Sequence, residues 1–178
     1  MAALEALPQS QNPVLLTQAK PPSGTAPNED DVRLLARLIF AEGANHHHMT
    51  GALEGIGWTV LNRIGAPGFA KTLEGVIHQP KQFDGPKNDL WAKAADPSTL
   101  NGPNKIAYEK ARRVAEGVLE RKIPDPTDGA QFFYSSRDGN APGTWFPEEK
   151  RTQRLVESIK PIGELYFLKP NPSAPARR

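Results

Sequence analysis

The sequence predicts a mostly helical α+β domain with a small β-element near its C-terminus. Apolar residues recur at helical spacing over most of the chain between residues 30 and 122. Two short apolar stretches, 130–134 and 163–168, follow a turn-rich segment and have the length and composition of strands. The 178 residues suit one domain with a core of its own.

Proline-rich ends flank the predicted domain. Many of the 18 prolines lie near the two termini, where no hydrophobic period is sustained. The sequence therefore predicts a flexible leader over residues 1–28, a folded domain over 29–169 and a disordered tail over 170–178.

Composition excludes several classes of function. The formal charge of +2 is nearly balanced, whereas a nucleic-acid surface needs a concentrated basic face, so no nucleic-acid partner is expected. The chain has no cysteine, which excludes disulfides and thiolate sites. No stretch has the length of a membrane span, and the N-terminus lacks the basic start and apolar run of a secretory signal.

The first predicted helix begins at an N-cap of Asp30 or Asp31 and runs to about Glu42. Counting back from Glu42 by three, four and seven positions reaches only apolar residues, which are Ile39, Leu38 and Leu35. Glu42 therefore lies on the apolar stripe, at the negative end of the helix dipole.

Burial and the helix dipole both favour the protonated form of Glu42, which is the form that a general acid needs. The same pattern also fits a glutamate at a frayed helix end that reaches into water. Periodicity alone does not separate these two interpretations.

The middle of the chain predicts three more helices and one long loop. Apolar spacing indicates helices over about 50–62, 72–78 and 104–122, of which the last is the most regular. Residues 81–102 read as an irregular connection with one helical turn near 91–95. Long loops of this kind often line binding sites.

The C-terminal part predicts turns and strands. The segment Pro124-Asp125-Pro126-Thr127-Asp128-Gly129 forces turns before the strand at 130–134. Residues 154–159 fit either a strand or a helix, and no internal repeat is visible.

Four polar or aromatic residues are candidate sugar contacts. Asn62 ends the second helix beside Arg63, for which a role at the helix terminus is the favoured interpretation. Gln82 and Phe83 pair an amide with a ring that can stack on a pyranose, although Phe83 also suits a core position. Tyr134 adds aromatic surface, as does Trp145, and part of that surface must be core.

The run His46-His47-His48 invites a metal site, with His78 or Glu54 as a further ligand. Three consecutive side chains point in different directions, whereas zinc ligands converge through spacings such as i and i+4. A solvated loop is the preferred interpretation, so no metal and no cofactor is expected.

Taken in order, these motifs give the chain a family resemblance. It resembles the SleB/CwlJ-type cell wall hydrolases, which include spore cortex-lytic enzymes. The matching segments span about residues 30–168 and are Leu35-Ala36-Arg37-Leu38-Ile39-Phe40-Ala41-Glu42, Val60-Leu61-Asn62-Arg63, Val76-Ile77, Gln82-Phe83, Asp125-Pro126-Thr127-Asp128-Gly129-Ala130 and Ile162-Gly163-Glu164-Leu165-Tyr166-Phe167.

The resemblance has two departures. The family's second glutamate falls at His46, and its late histidine falls at Leu165. The first glutamate, which the family uses as its catalytic acid, is retained as Glu42.

The resemblance implies a lysozyme-like, transglycosylase-like fold over residues 29–169. It also implies cleavage of the β-1,4 bond between N-acetylmuramic acid and N-acetylglucosamine in peptidoglycan, as a lytic transglycosylase or a muramidase. Glu42 would serve as general acid and base, and no second carboxylate is obvious opposite it. Three acids that could fold back into the cleft are Asp84, Asp125 and Asp128.

Two other classes of function stay open. Because of the departures at His46 and Leu165, the chain could be a peptidoglycan-binding module without catalysis. The histidine run would instead suit a zinc-dependent wall amidase.

The expected lack of a secretory signal bears on how the protein would reach the cell wall. A wall-cutting enzyme without its own signal suggests a phage lysis protein or an antibacterial effector delivered by a secretion machine. The effector case implies a cognate immunity or inhibitor protein as a partner.

Overall fold

A computed structural model describes residues 27–80, 82–83, 86, 88–135 and 155–173. Most of the predicted leader and tail lies outside these residues, as do Asp84 and Trp145. In the described part, the elements in chain order are α1 (Glu29–Gly43), α2 (Ala52–Arg63), α3 (Leu73–Ile77), α4 (Asp89–Lys93), α5 (Gly102–Leu119), β1 (Phe132–Ser135), β2 (Leu155–Glu157) and β3 (Leu165–Pro170). Two 3-10 helices, Ala44–His46 and Pro97–Thr99, follow α1 and α4.

Helix α1 begins earlier than the sequence predicts. Its N-cap is Asn28, whose Oδ1 accepts a hydrogen bond from the Asp30 amide at 3.1 Å. Asp30 and Asp31 lie inside the first turn with Glu29, where carboxylates face the positive end of the helix dipole. The prediction of an aspartate cap was wrong because an asparagine two positions upstream satisfies the first amides equally well.

The core lies where α1 packs against α2 and α5. The buried face of α1 includes Leu35, Leu38 and Ile39, all fully buried. Gly57 of α2 allows close contact, since a Cβ there would lie 3.1 Å from Ile39 and 3.6 Å from Val118 of α5. Small residues in α2 thus let two helices approach its backbone.

Helix α4 lies within the connection predicted for 81–102 and overlaps the helical turn predicted near 91–95, beginning two residues earlier. Its N-cap Asn88 accepts from the Trp91 amide at 2.9 Å. The Arg37 guanidinium lies 4.1 Å from the centre of the Trp91 ring, and its Nε donates to the Trp91 carbonyl at 2.7 Å. These contacts with α1 stabilise a five-residue helix that has too few residues to be recognised by its period.

The strands form one antiparallel sheet in the order β1-β3-β2. Phe133 is paired with Phe167, and Tyr134 with Tyr166, across β1 and β3. Phe167 packs on α2, where a Cβ on Gly55 would lie 2.5 Å from its ring. The ambiguous segment 154–159 contains the strand β2.

The predicted mostly helical α+β class with a C-terminal β-element is confirmed. No helix in the described part of the chain is both long and apolar enough to cross a membrane.

Candidate active site

Glu42 is the penultimate residue of α1 and is partly buried. Its neighbours Ala41 and Gly43 are both buried. A Cβ on Gly43 would lie 2.5 Å from Leu53, so the end of α1 packs tightly against α2. Because this end of the helix is packed, the structure does not support the alternative that the helix end is frayed and Glu42 lies fully in water.

The backbone at this helix end is anchored from α4. The Asn88 Nδ2 donates to the Ala41 carbonyl at 3.1 Å, one residue before Glu42. Carbonyls in the last turn of a helix lack partners within the helix, and this amide supplies one. Residue 88 thereby fixes the position of the backbone that carries Glu42.

Arg63, the last residue of α2, is buried with only 3% of its surface exposed. Three phenylalanine rings surround its guanidinium, with centroids 5.1, 4.3 and 5.5 Å from Cζ for Phe69, Phe83 and Phe132 respectively. Its Nε donates to the Gln131 carbonyl at 2.6 Å. Arg63 does end α2, as the sequence indicated, but its side chain is also enclosed in an aromatic cage, which the sequence did not predict.

Glu42 acts electrostatically on this buried cation. Burial lowers the pKa of Arg63 to about 9, while coulombic attraction from Glu42 raises it. The attraction is mutual, so each of the two charges stabilises the other. The sequence argument considered only burial and the helix dipole, which favour the protonated form.

Asn62 holds the turn that precedes β1. Its Nδ2 donates to Asp125 Oδ2 at 2.9 Å and to the Ala130 carbonyl at 3.1 Å. Asp125 also accepts from the Thr127 amide at 2.8 Å and the Gly129 amide at 3.1 Å. The Asn62 amide is therefore engaged with protein in this structure.

The other predicted sugar contacts are distributed over a loop and the sheet. Phe83 is 6% exposed and packs on Arg63, while the neighbouring Gln82 is partly buried. Tyr134 stacks on Tyr166 with ring centroids 4.8 Å apart. The structure thus brings Phe83 to the Arg63 cage that interacts with Glu42, whereas Tyr134 belongs to the sheet.

The histidine run does not form a cluster suited to a metal. His46 is buried, His48 is exposed, and His47 Nδ1 lies within hydrogen-bonding distance of the Ala44 carbonyl. Among the described residues, no group of three His, Cys, Asp or Glu side chains is placed to hold an ion.

The two departures from the family pattern lie in buried positions. His46 is 5% exposed in the 3-10 helix after α1, and Leu165 is 1% exposed in β3. Leu165 belongs to the main hydrophobic core, so this position serves packing in this chain.

Two residues that support the site were not assigned to it from the sequence. Asn88 is followed by Asp89, and an asparagine before an acidic first turn is an N-cap signal. Arg63 directly follows the apolar stripe of α2. Its burial was not predicted because two of the rings that cover it, Phe83 and Phe132, come from segments far along the chain.

Comparison with known proteins shows which family this chain matches. The cell wall hydrolase family matches residues 49–168, a segment that begins after Glu42 and includes Asn62, Gln82, Phe83 and Tyr134. The spore cortex-lytic enzyme of Bacillus subtilis is 28% identical over 139 residues, which cover 78% of this chain and 40% of that protein. The spore cortex-lytic enzyme of Bacillus cereus is 24% identical over 156 residues, covering 84% of this chain and 51% of that protein. The chain thus spans about half the length of these relatives or less.

A solved structure shares the fold. The catalytic domain of the germination-specific lytic transglycosylase SleB from Bacillus anthracis superposes with a TM-score of 0.50 at 21% identity. The match covers 82% of this chain and 99% of that domain, which supports the expected lysozyme-like architecture.

Proposed function

Because the chain belongs to the cell wall hydrolase family, we propose that it cleaves the glycan strands of peptidoglycan as a lytic transglycosylase. The bond cleaved is the β-1,4 link between N-acetylmuramic acid and N-acetylglucosamine. Glu42 is the general acid and then the general base. No metal or cofactor takes part in this proposal.

The observation that carries the assignment of Glu42 is its setting. Glu42 is a partly buried carboxylate near the end of a packed helix, and Asn88 holds the backbone beside it. The buried Arg63 attracts its negative charge. A general acid needs a fixed position, and the contact with Asn88 supports one for Glu42.

The proposed reaction uses one carboxyl group twice. Protonated Glu42 gives its proton to the glycosidic oxygen as the bond from that oxygen to muramyl C1 breaks. The muramyl 6-hydroxyl then attacks C1, and the Glu42 carboxylate takes the hydroxyl proton. The products are a 1,6-anhydro-muramyl end and a free N-acetylglucosamine 4-hydroxyl, with no water consumed.

Two of the three acids that could fold back into the cleft are engaged elsewhere, which supports the use of a single carboxylate. Asp125 accepts hydrogen bonds from Asn62, Thr127 and Gly129, so its oxygens are committed to the turn. Asp128 is exposed and forms an ion pair with Lys169. Asp84 lies outside the described residues.

The sugar contacts stay predictions. Gln82 and Tyr134 are partly buried and are the better placed to touch a glycan. Phe83 and Asn62 would contribute to the site mainly by supporting other groups. Phe83 packs on Arg63, and Asn62 holds the turn at 125–130.

The variant Glu42→Gln tests the assignment. It removes the transferable proton while keeping the size of the side chain, so turbidity loss of purified sacculi should fall by about 100-fold or more. Glu109→Gln, at an exposed position on α5, is the matched control and should lyse at the wild-type rate. Lysis by Glu42→Gln at the control rate would contradict the proposal.

The alternative of a binding module has its own signature in the same assay. Such a module would sediment with sacculi and release no soluble fragments, whichever residue occupies position 42. The route to the wall, as a phage lysis protein or a delivered effector with a cognate inhibitor, also stays a prediction.

A further inference from the structure

We propose that three side chains from outside α1 clamp the C-terminal end of this helix and so position Glu42. The residues of this clamp are Asn88, His47 and Lys110. The inference rests on the proposed catalytic role of Glu42. It also assigns a function to one member of the histidine run, which the reaction scheme above does not use.

The end of α1 lacks a common means of satisfying its own carbonyls. Many helices end on a glycine in the left-handed conformation, which turns the chain back so that its amides bond the last carbonyls. Here the C-cap residue Ala44 keeps the right-handed helical conformation, and its amide donates to the Phe40 carbonyl. Donors for the carbonyls that follow therefore come from water or from other parts of the fold.

Asn88 supplies such a donor on the side of α4, one residue before Glu42. Its Nδ2 donates to the Ala41 carbonyl at 3.1 Å, while its Oδ1 accepts from the Trp91 amide at 2.9 Å. Because the donor and the acceptor of this amide are both engaged, the side chain has one orientation. Asn88 thus ties the start of α4 to the end of α1.

His47 supplies the contact on the other side, at the carbonyl two residues after Glu42. Its Nδ1 lies within hydrogen-bonding distance of the Ala44 carbonyl. A carbonyl oxygen can only accept, so this bond requires a proton on Nδ1. The neutral ring is then the Nδ1–H tautomer, and the backbone on both sides of Glu42 is held.

Lys110 fixes the loop that carries His47. Its Nζ donates to the His47 carbonyl from α5. Helix α5 also packs against α1 in the core, so the loop and the catalytic helix are attached to the same element. The clamp therefore connects the end of α1 to both α4 and α5.

A fixed helix end matters for the proposed reaction. The carboxyl group of Glu42 must reach one glycosidic oxygen, and a misplacement of about 1 Å can cost about 100-fold in rate. Each clamp side chain bonds a backbone carbonyl. These three residues are therefore positioning residues, and they take no part in the proton transfer.

The sharpest test is Asn88→Asp. An ionised aspartate still accepts from the Trp91 amide and is an equally good N-cap, but it cannot donate to the Ala41 carbonyl. Helix α4 should therefore stay folded, while kcat on soluble peptidoglycan fragments should fall by about 10-fold or more with KM retained. A wild-type kcat, or a loss confined to KM, would overturn the role of Asn88.

The other half of the clamp has matched pairs of variants. The Nδ2 of an asparagine can take the place of the imidazole Nδ1, so His47→Asn should keep a higher kcat than His47→Leu. Lys110→Met should also lower kcat, whereas Lys105→Met, at an exposed position on the same helix, should match the wild type. If His47→Leu has the wild-type kcat, or if His47→Asn gives no rescue, His47 does not position Glu42.

Two further measurements do not depend on activity. In the wild-type protein, the ¹⁵N shifts of the neutral His47 ring should show the proton on Nδ1. The amide of Ala44 closes the last turn of α1, so its hydrogen exchange should accelerate by about 10-fold or more in Asn88→Asp and in His47→Leu. A proton on Nε2, or unchanged exchange in both variants, would contradict the clamp.

The outcomes separate the clamp from the proposed function. If Glu42→Gln lyses sacculi at the control rate, the assignment of Glu42 fails, whatever the exchange data show. If Glu42→Gln is inactive while the clamp variants keep the wild-type kcat, the function stands and only the positioning role fails.

Discussion

Arg63 is a charged side chain that the fold removes almost completely from water. Burial lowers its pKa to about 9, still high enough to keep the guanidinium charged at neutral pH. The aromatic cage, the Gln131 carbonyl and the attraction of Glu42 together offset the loss of hydration. At the scale of single residues, the candidate catalytic acid is thus also part of what stabilises a buried charge.

A double-mutant cycle measures that coupling. Glu42→Gln leaves the Arg63 cation without its counter-charge, so the free energy of unfolding should fall. Arg63→Met removes both the charge and its cost, and Glu42→Gln should then cost less in the Arg63→Met background. Urea unfolding of the four proteins should give a coupling of about 0.5–3 kcal/mol, whereas additive effects would mean that the two groups do not interact.

At the scale of elements, the end of α2 organises the approach to the sheet. Asn62 holds the turn from Asp125 to Ala130, and the next residue, Arg63, holds Gln131. Strand β1 begins directly after these contacts, at Phe132. Two adjacent side chains therefore fix where the helical part of the domain meets the β-element.

Asn62→Ala separates a structural role from a role in sugar binding. The change removes two hydrogen bonds and leaves part of the turn without a donor, which should cost about 1–3 kcal/mol of unfolding free energy. Asn45→Ala, at an exposed position, is the control and should change stability by less than about 0.5 kcal/mol. Unchanged stability together with a raised KM would instead favour direct contact of Asn62 with the glycan.

At the scale of the whole molecule, periodicity predicted the helices that have a long buried face. It placed α1, α2 and α5 to within a few residues, because a continuous apolar stripe is a strong signal. Helix α4 was predicted only as one turn near 91–95, because its stability comes from the Asn88 cap and from Arg37 packing on Trp91. Contacts between distant parts of the chain produce no periodic pattern in the sequence.

The same reasoning explains the uneven prediction of the site. Glu42 was singled out as a candidate because a carboxylate on the apolar stripe of a helix is unusual. The Arg63 cage was not found, since its rings come from three separate segments around Phe69, Phe83 and Phe132. Family membership shows the kind of enzyme to test for, while the role of each residue remains a matter for experiment.

The most direct test of the account is the chemistry of the released fragments. Purified sacculi are digested in ¹⁸O-labelled water, and the muropeptides are analysed by mass spectrometry. Wild-type protein and Glu109→Gln should release 1,6-anhydro-muramyl ends without ¹⁸O, and Glu42→Gln should release almost none. Reducing ends labelled with ¹⁸O would contradict the transglycosylase scheme, and anhydro products from Glu42→Gln at the control rate would contradict the role of Glu42.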